Sequence, residues 1–256
     1  MAEAETTATL YDANAGQWAR KERVLLSDFT ARPFVLDAIG PLHGAHVLDL
    51  GCGEGYVARR IAERGAASVF GVDISGEMVE NARRAAPTDG ACAMRFEVAD
   101  AATFADFPRA RFDRVVAVFL FNYLTRAQMT AVLRAAREHL AAGGTFVFTV
   151  PHPCFPYMRS PAEPFYFDTA GRSYFEGVDH TYEGRIWRRD GVGVPVRCVH
   201  KTFGDYFAAL AEAGFTALPQ VVELRVTEEH EALDPAFFTP LRGVPLHVLF
   251  RITAPA

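Results

Sequence analysis

The chain has 256 residues and a formal net charge of −5, with half of its residues hydrophobic and 22% charged. That balance permits a sizeable core and excludes global disorder. Net acidity argues against a nucleic-acid partner, since phosphate backbones are bound by clustered Lys and Arg. The one basic cluster, Arg185, Arg188 and Arg189, alternates with Glu183 and Asp190. The four cysteines, Cys52, Cys92, Cys154 and Cys198, form no CxxC pair, so neither a disulfide framework nor a metal site is expected. An acidic N-terminus without a following apolar run predicts no signal peptide. The longest apolar stretch, residues 115–124, is too short to span a bilayer. A cytoplasmic protein with no membrane partner is the expectation.

In chain order, residues 9–40 read as helical, closed by Gly40-Pro41. Short apolar runs then alternate with amphipathic helices, the pattern of βαβ units. Strands are predicted at 46–50, 68–72, 94–98, 112–119 and 145–150, and helices at 56–63 and 76–84. A further helix opens on a capping box, Thr125 with Gln128, and is expected to stop at Gly143-Gly144. From Pro151 to His200 the rhythm gives way to Pro, Gly and aromatics, with a hairpin turning at Asp190-Gly191. A helix at 203–213 and two closing strands, near 217–226 and 244–252, complete the chain. The expected layout is an α/β, doubly wound core (42–150 and 201–256), an N-terminal helical cap (1–41) and an aromatic-rich lid inserted after strand five (151–200).

Chemistry concentrates at the strand ends. Gly51, Gly53 and Gly55 follow the first strand and precede a helix, so the turn is tight and a ligand can approach the backbone closely. The free N–H groups of that helix suit an anion. Dinucleotide sites use GxGxxG, with the third glycine allowing helix–strand packing under a pyrophosphate. Here that place holds Tyr56, which disfavours a nicotinamide oxidoreductase, the competing reading. A smaller carboxylate suits GxGxG, and Asp49 puts a negative charge where a ligand ammonium would lie. Asp73, ending strand two, offers acceptors to two ribose hydroxyls, although it also suits a role at the cap of the helix that Ser75 opens. Asp100, ending strand three, offers an acceptor to an adenine amino group, with the Ala101 N–H beside it.

At these positions the chain resembles the class I S-adenosylmethionine-dependent methyltransferases. The resemblance rests on Val47-Leu48-Asp49-Leu50-Gly51-Cys52-Gly53-Glu54-Gly55, Gly71-Val72-Asp73-Ile74-Ser75-Gly76-Glu77-Met78, Ala99-Asp100 and Leu140-Ala141-Ala142-Gly143-Gly144-Thr145. It implies a Rossmann-like, seven-stranded, mostly parallel sheet with an antiparallel last strand, and S-adenosylmethionine as cofactor. By the same resemblance the three glycines line the methionine moiety, Asp73 holds the ribose, and Asp100 with Ala101 reads the adenine. Ile74 and Met78 would pack on that base, and Phe119-Leu120 would pass the sulfonium. Tyr11-Asp12 looks like the cap element that closes over the cofactor, with plain helix packing an equal alternative for Tyr11.

The methyl acceptor should face the ends of strands four and five. Asn122 and Tyr123 stand there, with His152 between two prolines. His152 is the general-base candidate because imidazole titrates near neutrality; a backbone-bonded structural role is its alternative. From the lid, Tyr157, Tyr166, His180 and Trp187 are substrate candidates within an aromatic set that would line an apolar pocket. Those aromatics would equally serve as the lid's own core or as a homodimer contact. The expected function is methyl transfer to N, O or C of a small aromatic or heteroaromatic molecule. A cofactor-binding protein without catalysis is the third reading.

Overall fold

The computed structural model describes residues 6–88, 90–102 and 111–255. Five parallel strands form its centre: β1 (His46–Leu50), β2 (Ser68–Asp73), β3 (Ala93–Val98), β4 (Phe112–Val118) and β5 (Leu140–Pro151). Three short strands, β6 (Phe165–Phe167), β7 (Thr181–Trp187) and β8 (Gly193–Val199), form a separate antiparallel sheet. The closing strands β9 (Gln220–Leu224) and β10 (His247–Thr253) return to the large sheet, whose order is β3-β2-β1-β4-β5-β10-β9. β10 runs antiparallel to both neighbours, as expected of the last strand.

The central strands are apolar on both faces because helices cover both. On one face lie α3 (Arg32–Ala38), α4 (Tyr56–Glu63) and α5 (Gly76–Ala85), which contribute Val35, Ile61, Val79 and Ala82 to a core on Val47, Val69 and Val116. On the other lie α6 (Arg126–His139) and α8 (Phe203–Glu212), with Met129, Leu133, Tyr206 and Leu210 packed on Leu48, Phe146, Phe148 and Phe250. α6 starts on the expected box: Thr125 N donates to Gln128 Oε1 at 2.9 Å while Thr125 Oγ1 accepts from Gln128 N. The order of the strands reverses between β1 and β4, so the crevice for a ligand opens above their carboxyl ends.

The N-terminal segment is three helices rather than one run: α1 (Thr7–Trp18), α2 (Leu26–Thr30) and α3. A buried carboxylate interrupts it. Asp28 accepts from Val24 N and Leu25 N and pairs with Arg20 and Arg32, which fixes an extended turn before α2. Gly143-Gly144 also differs from expectation, since the helix ends at His139 and both glycines lie within β5. They form an irregularity in the β4–β5 ladder; Gly143 has φ +68° and its N–H donates to Pro255 O. The β7–β8 turn takes positive φ at Gly191 alone, because Arg188 N bonds Val192 O across three intervening residues, the pattern of a bulged hairpin.

A third core joins the small sheet to the N-terminus. Leu26 and Phe29 pack with Phe155, Phe165, Phe167, Tyr182 and Ile186, and with Phe238 and Leu246 from the stretch before β10. That stretch holds α9 (Glu228–Leu233) and α10 (Pro235–Phe238), a second insertion absent from the sequence-based layout. A four-residue helix, α7 (Phe155–Met158), connects β5 to the small sheet. Among the described residues, no helix is long and apolar enough to cross a membrane.

Candidate functional site

One cavity of about 430 Å³ runs from the glycine loop to the small sheet. Its first half is made by strand ends. The turn after β1 is tight: Gly51, Gly53 and Gly55 have φ of +70°, +54° and +80°. A Cβ on Gly51 would come within 3.1 Å of the Leu120 side chain, whereas at Gly53 it would meet nothing within 4 Å, so the space there is open to a ligand. Gly55 does not line the cavity. A Cβ there would lie 3.1 Å from Ala82 and 3.3 Å from Phe96, so this glycine lets α4 pack closely on its neighbours.

Asp73 Oδ2 accepts from Gly53 N at 2.8 Å and Oδ1 from Ser75 N at 3.0 Å. The carboxylate thus ties the glycine loop to the start of α5 while facing the cavity. Burial raises its pKa, and the backbone N–H groups of Ser75 and Gly53 act against that rise. Asp49 is 1% exposed and its Oδ2 has no hydrogen-bond partner among the described residues. Burial, with the charge of Asp73 adding to it, pushes its pKa up to about 7. An unpartnered buried carboxylate oxygen is costly unless a donor arrives, so this atom suits a ligand ammonium. Ile74 is 44% exposed beside the cavity, with Met78, Asp100 and Ala101 also in its wall.

The N-terminal helix closes this half. Asp12 Oδ1 accepts from Ser75 Oγ at 2.5 Å and from Glu77 N at 3.3 Å, which holds α1 on α5. Tyr11 stands in the cavity wall, where its hydroxyl donates to Tyr123 and its ring packs 5.5 Å from Trp18. Burial lifts both phenols, Tyr123 to about 12. Two arginines that the sequence reading did not single out, Arg20 and Arg32, also reach the wall. Arg32 Nη1 bonds Asp28 Oδ1 at 3.0 Å, and its guanidinium lies 5.5 Å from the Phe119 ring centroid. Burial lowers its pKa, with the charge of Arg20 contributing. Phe119 itself takes φ +58°, a conformation that strains a bulky residue and turns the chain sharply at the end of β4.

The second half is apolar. Phe165, Phe167, Ile186 and Val196 face in from the small sheet, joined by Pro151 and His247. Period-two alternation explains why two of the expected lid residues, Tyr166 and Trp187, do not. Tyr166 lies between Phe165 and Phe167 and pairs with Trp187, next to Ile186, on the sheet's other face at 6.0 Å between rings. Tyr157 bonds the Tyr182 hydroxyl at 2.8 Å inside the lid. His180 is exposed, with its Nδ1 3.2 Å from Val178 O. Asn122 and Tyr123 do line the cavity.

His152 is a correction of the same kind. It is buried but outside the cavity wall; Nδ1 accepts from Cys154 N at 3.1 Å, leaving Nε2 to donate to Glu223 Oε1 at 2.7 Å. Both ring nitrogens are spent on holding β5, β9 and the start of α7 together. His247, which occupies the cavity wall instead, carries no motif in the sequence, since a lone histidine in an apolar strand reads as core.

Strand order, turn and acidic strand ends together define a class I methyltransferase fold. A family profile described as a methyltransferase domain matches residues 47–144, and over that segment the chain is similar to the class I S-adenosylmethionine-dependent methyltransferases. It is 36% identical over 141 residues to trans-aconitate 2-methyltransferase of Streptomyces avermitilis, covering 52% of this chain and 51% of that one. It is 35% identical over 137 residues to aklanonic acid methyltransferase DauC of Streptomyces sp. strain C5, covering 51% and 60%. The chain therefore spans between half and three-fifths of the length of these curated relatives. Among solved structures, an S-adenosylmethionine dependent methyltransferase from Mesorhizobium loti superposes with a TM-score of 0.63 at 26% identity, covering 86% of this chain and 96% of that one.

Proposed function

We propose that the protein transfers the methyl group of S-adenosylmethionine to a small molecule with an apolar, flat body. The carrying observation is the continuity of one cavity from Asp49, Gly53, Asp73 and Asp100 to Phe165, Phe167, Ile186 and Val196. The residues present fit the cofactor. Among the described residues Asp49 Oδ2 lacks a donor, which an ammonium would supply, and Arg32 reaches the same wall as a partner for a carboxylate. Asp73 would take the ribose, Asp100 with Ala101 the adenine amino edge, and the exposed Ile74 the face of the base. Bound there, S-adenosylmethionine supplies an electrophilic methyl on a cationic sulfur.

The chain's own part is alignment and exclusion of water. Phe119 and Leu120 stand where the two halves of the cavity meet, and the Tyr11–Tyr123 contact closes the N-terminal side. An oxidoreductase reading loses its footing at Tyr56: this buried ring carries Arg20 4.3 Å from its centroid and fills the place of the third glycine. The acceptor names of the relatives, an aconitate and an aklanonic acid, keep a carboxyl oxygen among the acceptors to test.

The test blocks one half only. Val196→Trp should abolish methyl transfer from labelled S-adenosylmethionine to an acceptor found by screening, with S-adenosylhomocysteine affinity unchanged by calorimetry. Retained turnover in that variant would remove the chamber from the reading.

A further inference from the structure

Five buried polar side-chain atoms lack a partner among the described residues, and three of them, Asp49 Oδ2, Asn122 Oδ1 and His247 Nδ1, belong to residues of the one cavity. All three are able to accept a hydrogen bond. Asp49 is absorbed by the cofactor reading. His247 is not, because it stands on the acceptor side. It opens β10 opposite Pro151, with its ring 5.0 Å from Phe119 and 6.2 Å from Phe165, centroid to centroid. It therefore sits at the junction between the donor half and the apolar chamber.

The neighbours of His247 decide which nitrogen carries the proton. Its Nε2 lies 3.2 Å from Thr30 Oγ1. The single hydroxyl proton of Thr30 is already given to Leu26 O at 2.9 Å, so toward the imidazole Thr30 is an acceptor. On that arrangement we assign the N–H to Nε2, which leaves Nδ1 as the acceptor. Burial, with Arg32 and His152 contributing, pushes the pKa of His247 down to about 3, which keeps the ring neutral in this tautomer. The residue is 1% exposed, and a buried acceptor left without a donor is a feature that a folded protein rarely keeps without use.

We propose that His247 reads the methyl acceptor, its Nδ1 accepting a hydrogen bond from an O–H or N–H group carried on the acceptor's apolar body. The contact orients that group at the junction beside Phe119, and it selects acceptors that bear a donor over those that do not. This rests on the chamber being the acceptor site, as set out above.

The experiment uses the full chain loaded with S-adenosylhomocysteine and two probes of one shape, 1-naphthol and 1-methoxynaphthalene, of which only the first donates. The parent protein should bind the naphthol about tenfold more tightly. His247→Gln keeps an amide within reach of Thr30 and removes the Nδ1 acceptor, so the preference should fall below about twofold. His247→Asn places an oxygen near the Nδ1 position and should restore part of it. Affinity for S-adenosylhomocysteine should stay within about twofold throughout, since the variants leave Asp49, Asp73 and Asp100 in place. Equal binding of both probes by the parent, or a preference that survives in His247→Gln, overturns the assignment to His247 and leaves the chamber reading intact. Binding of neither probe overturns the chamber reading, and this inference with it. Loss of S-adenosylhomocysteine affinity in step with naphthol affinity would assign His247 to the cofactor instead.

Discussion

The two halves of the cavity are built by different means. The half proposed for the cofactor uses main chain and short acidic side chains, each at the end of a parallel strand: Gly53 N bonded to Asp73, Ser75 N to Asp73, and Asp49 beneath the loop. The half proposed for the acceptor uses bulky apolar side chains from an antiparallel sheet, Phe165, Phe167, Ile186 and Val196, backed by Leu26, Phe29 and Phe238. Directional bonds at fixed strand ends select one ligand. A wall of packed rings selects by shape, so it tolerates change of sequence wherever volume and alternation are kept. What connects the halves is the buried charge network around Asp28, because Arg32 touches that carboxylate, the Phe119 ring and the cavity wall.

Breaking that link should have the largest effect. Asp28 is 1% exposed; burial disfavours its charge, but Arg32 and Arg20 hold its pKa below the ordinary value. Asp28→Ala takes the carboxylate from the buried Arg32 and leaves Arg20 with Glu54 alone, and it should cost about 3–5 kcal/mol of stability by urea unfolding. A cost under about 1 kcal/mol would mean that the network behaves like a surface pair.

Asp73→Ala removes the tie between glycine loop and α5 together with acceptors for ribose hydroxyls. S-adenosylhomocysteine affinity should drop by about 1–3 kcal/mol, or roughly ten- to a hundredfold, with the stability of the small sheet's core untouched. Unchanged calorimetric affinity would sink the ribose assignment.

Asp49 sharpens the same half through pH. Its folded value near 7 exceeds the usual 3.8, so the folded protein keeps a proton that the unfolded chain releases. That contribution to stability is complete below about pH 4 and is lost as pH rises through about 7. Asp49→Asn should therefore melt higher than the parent at pH 8 without ligand, with the gap closing toward pH 4. In the parent, S-adenosylhomocysteine binding should weaken below about pH 7, because the ammonium needs the ionised form. The variant should lack that slope. A parent affinity that is flat from pH 6 to 8 would count against an ammonium at Asp49.

The smallest effect belongs to His152. Its two bonds lie outside the cavity, so His152→Ala should cost about 1 kcal/mol of stability and leave methyl transfer within about twofold of the parent. A loss of turnover at unchanged stability and cofactor affinity would return His152 to the chemistry.

Much of the cavity wall at the strand ends was legible from residue order. Asp49, Gly51, Gly53, Asp73, Ile74, Met78, Asp100 and Ala101 fall within a few residues of strand ends, and strand ends follow from apolar periodicity. Gly55 was the exception, since the same turn conformation serves packing against Ala82 rather than a ligand, and only the facing helix reveals it. The acceptor half was not legible as a site. Its aromatics were visible, but which of two alternating faces points inward depends on what packs behind the sheet. Tyr166 and Trp187 went outward because Phe165, Phe167 and Ile186 meet Leu26, Phe29 and Phe238 from distant segments.

By itself, then, the amino-acid order determined the doubly wound sheet, the methyltransferase-like segment and the strand-end wall of the cavity, because those follow from local periodicity and from turns a few residues long. Tertiary structure decided the rest. It moved His152 into a structural bond with Glu223, brought Arg32 and His247 from opposite ends of the chain to one wall, and left the Nδ1 of His247 without a partner among the described residues. The physical reason is range: a burial cost or an orphaned lone pair is set by neighbours far away in sequence, and no short motif encodes them.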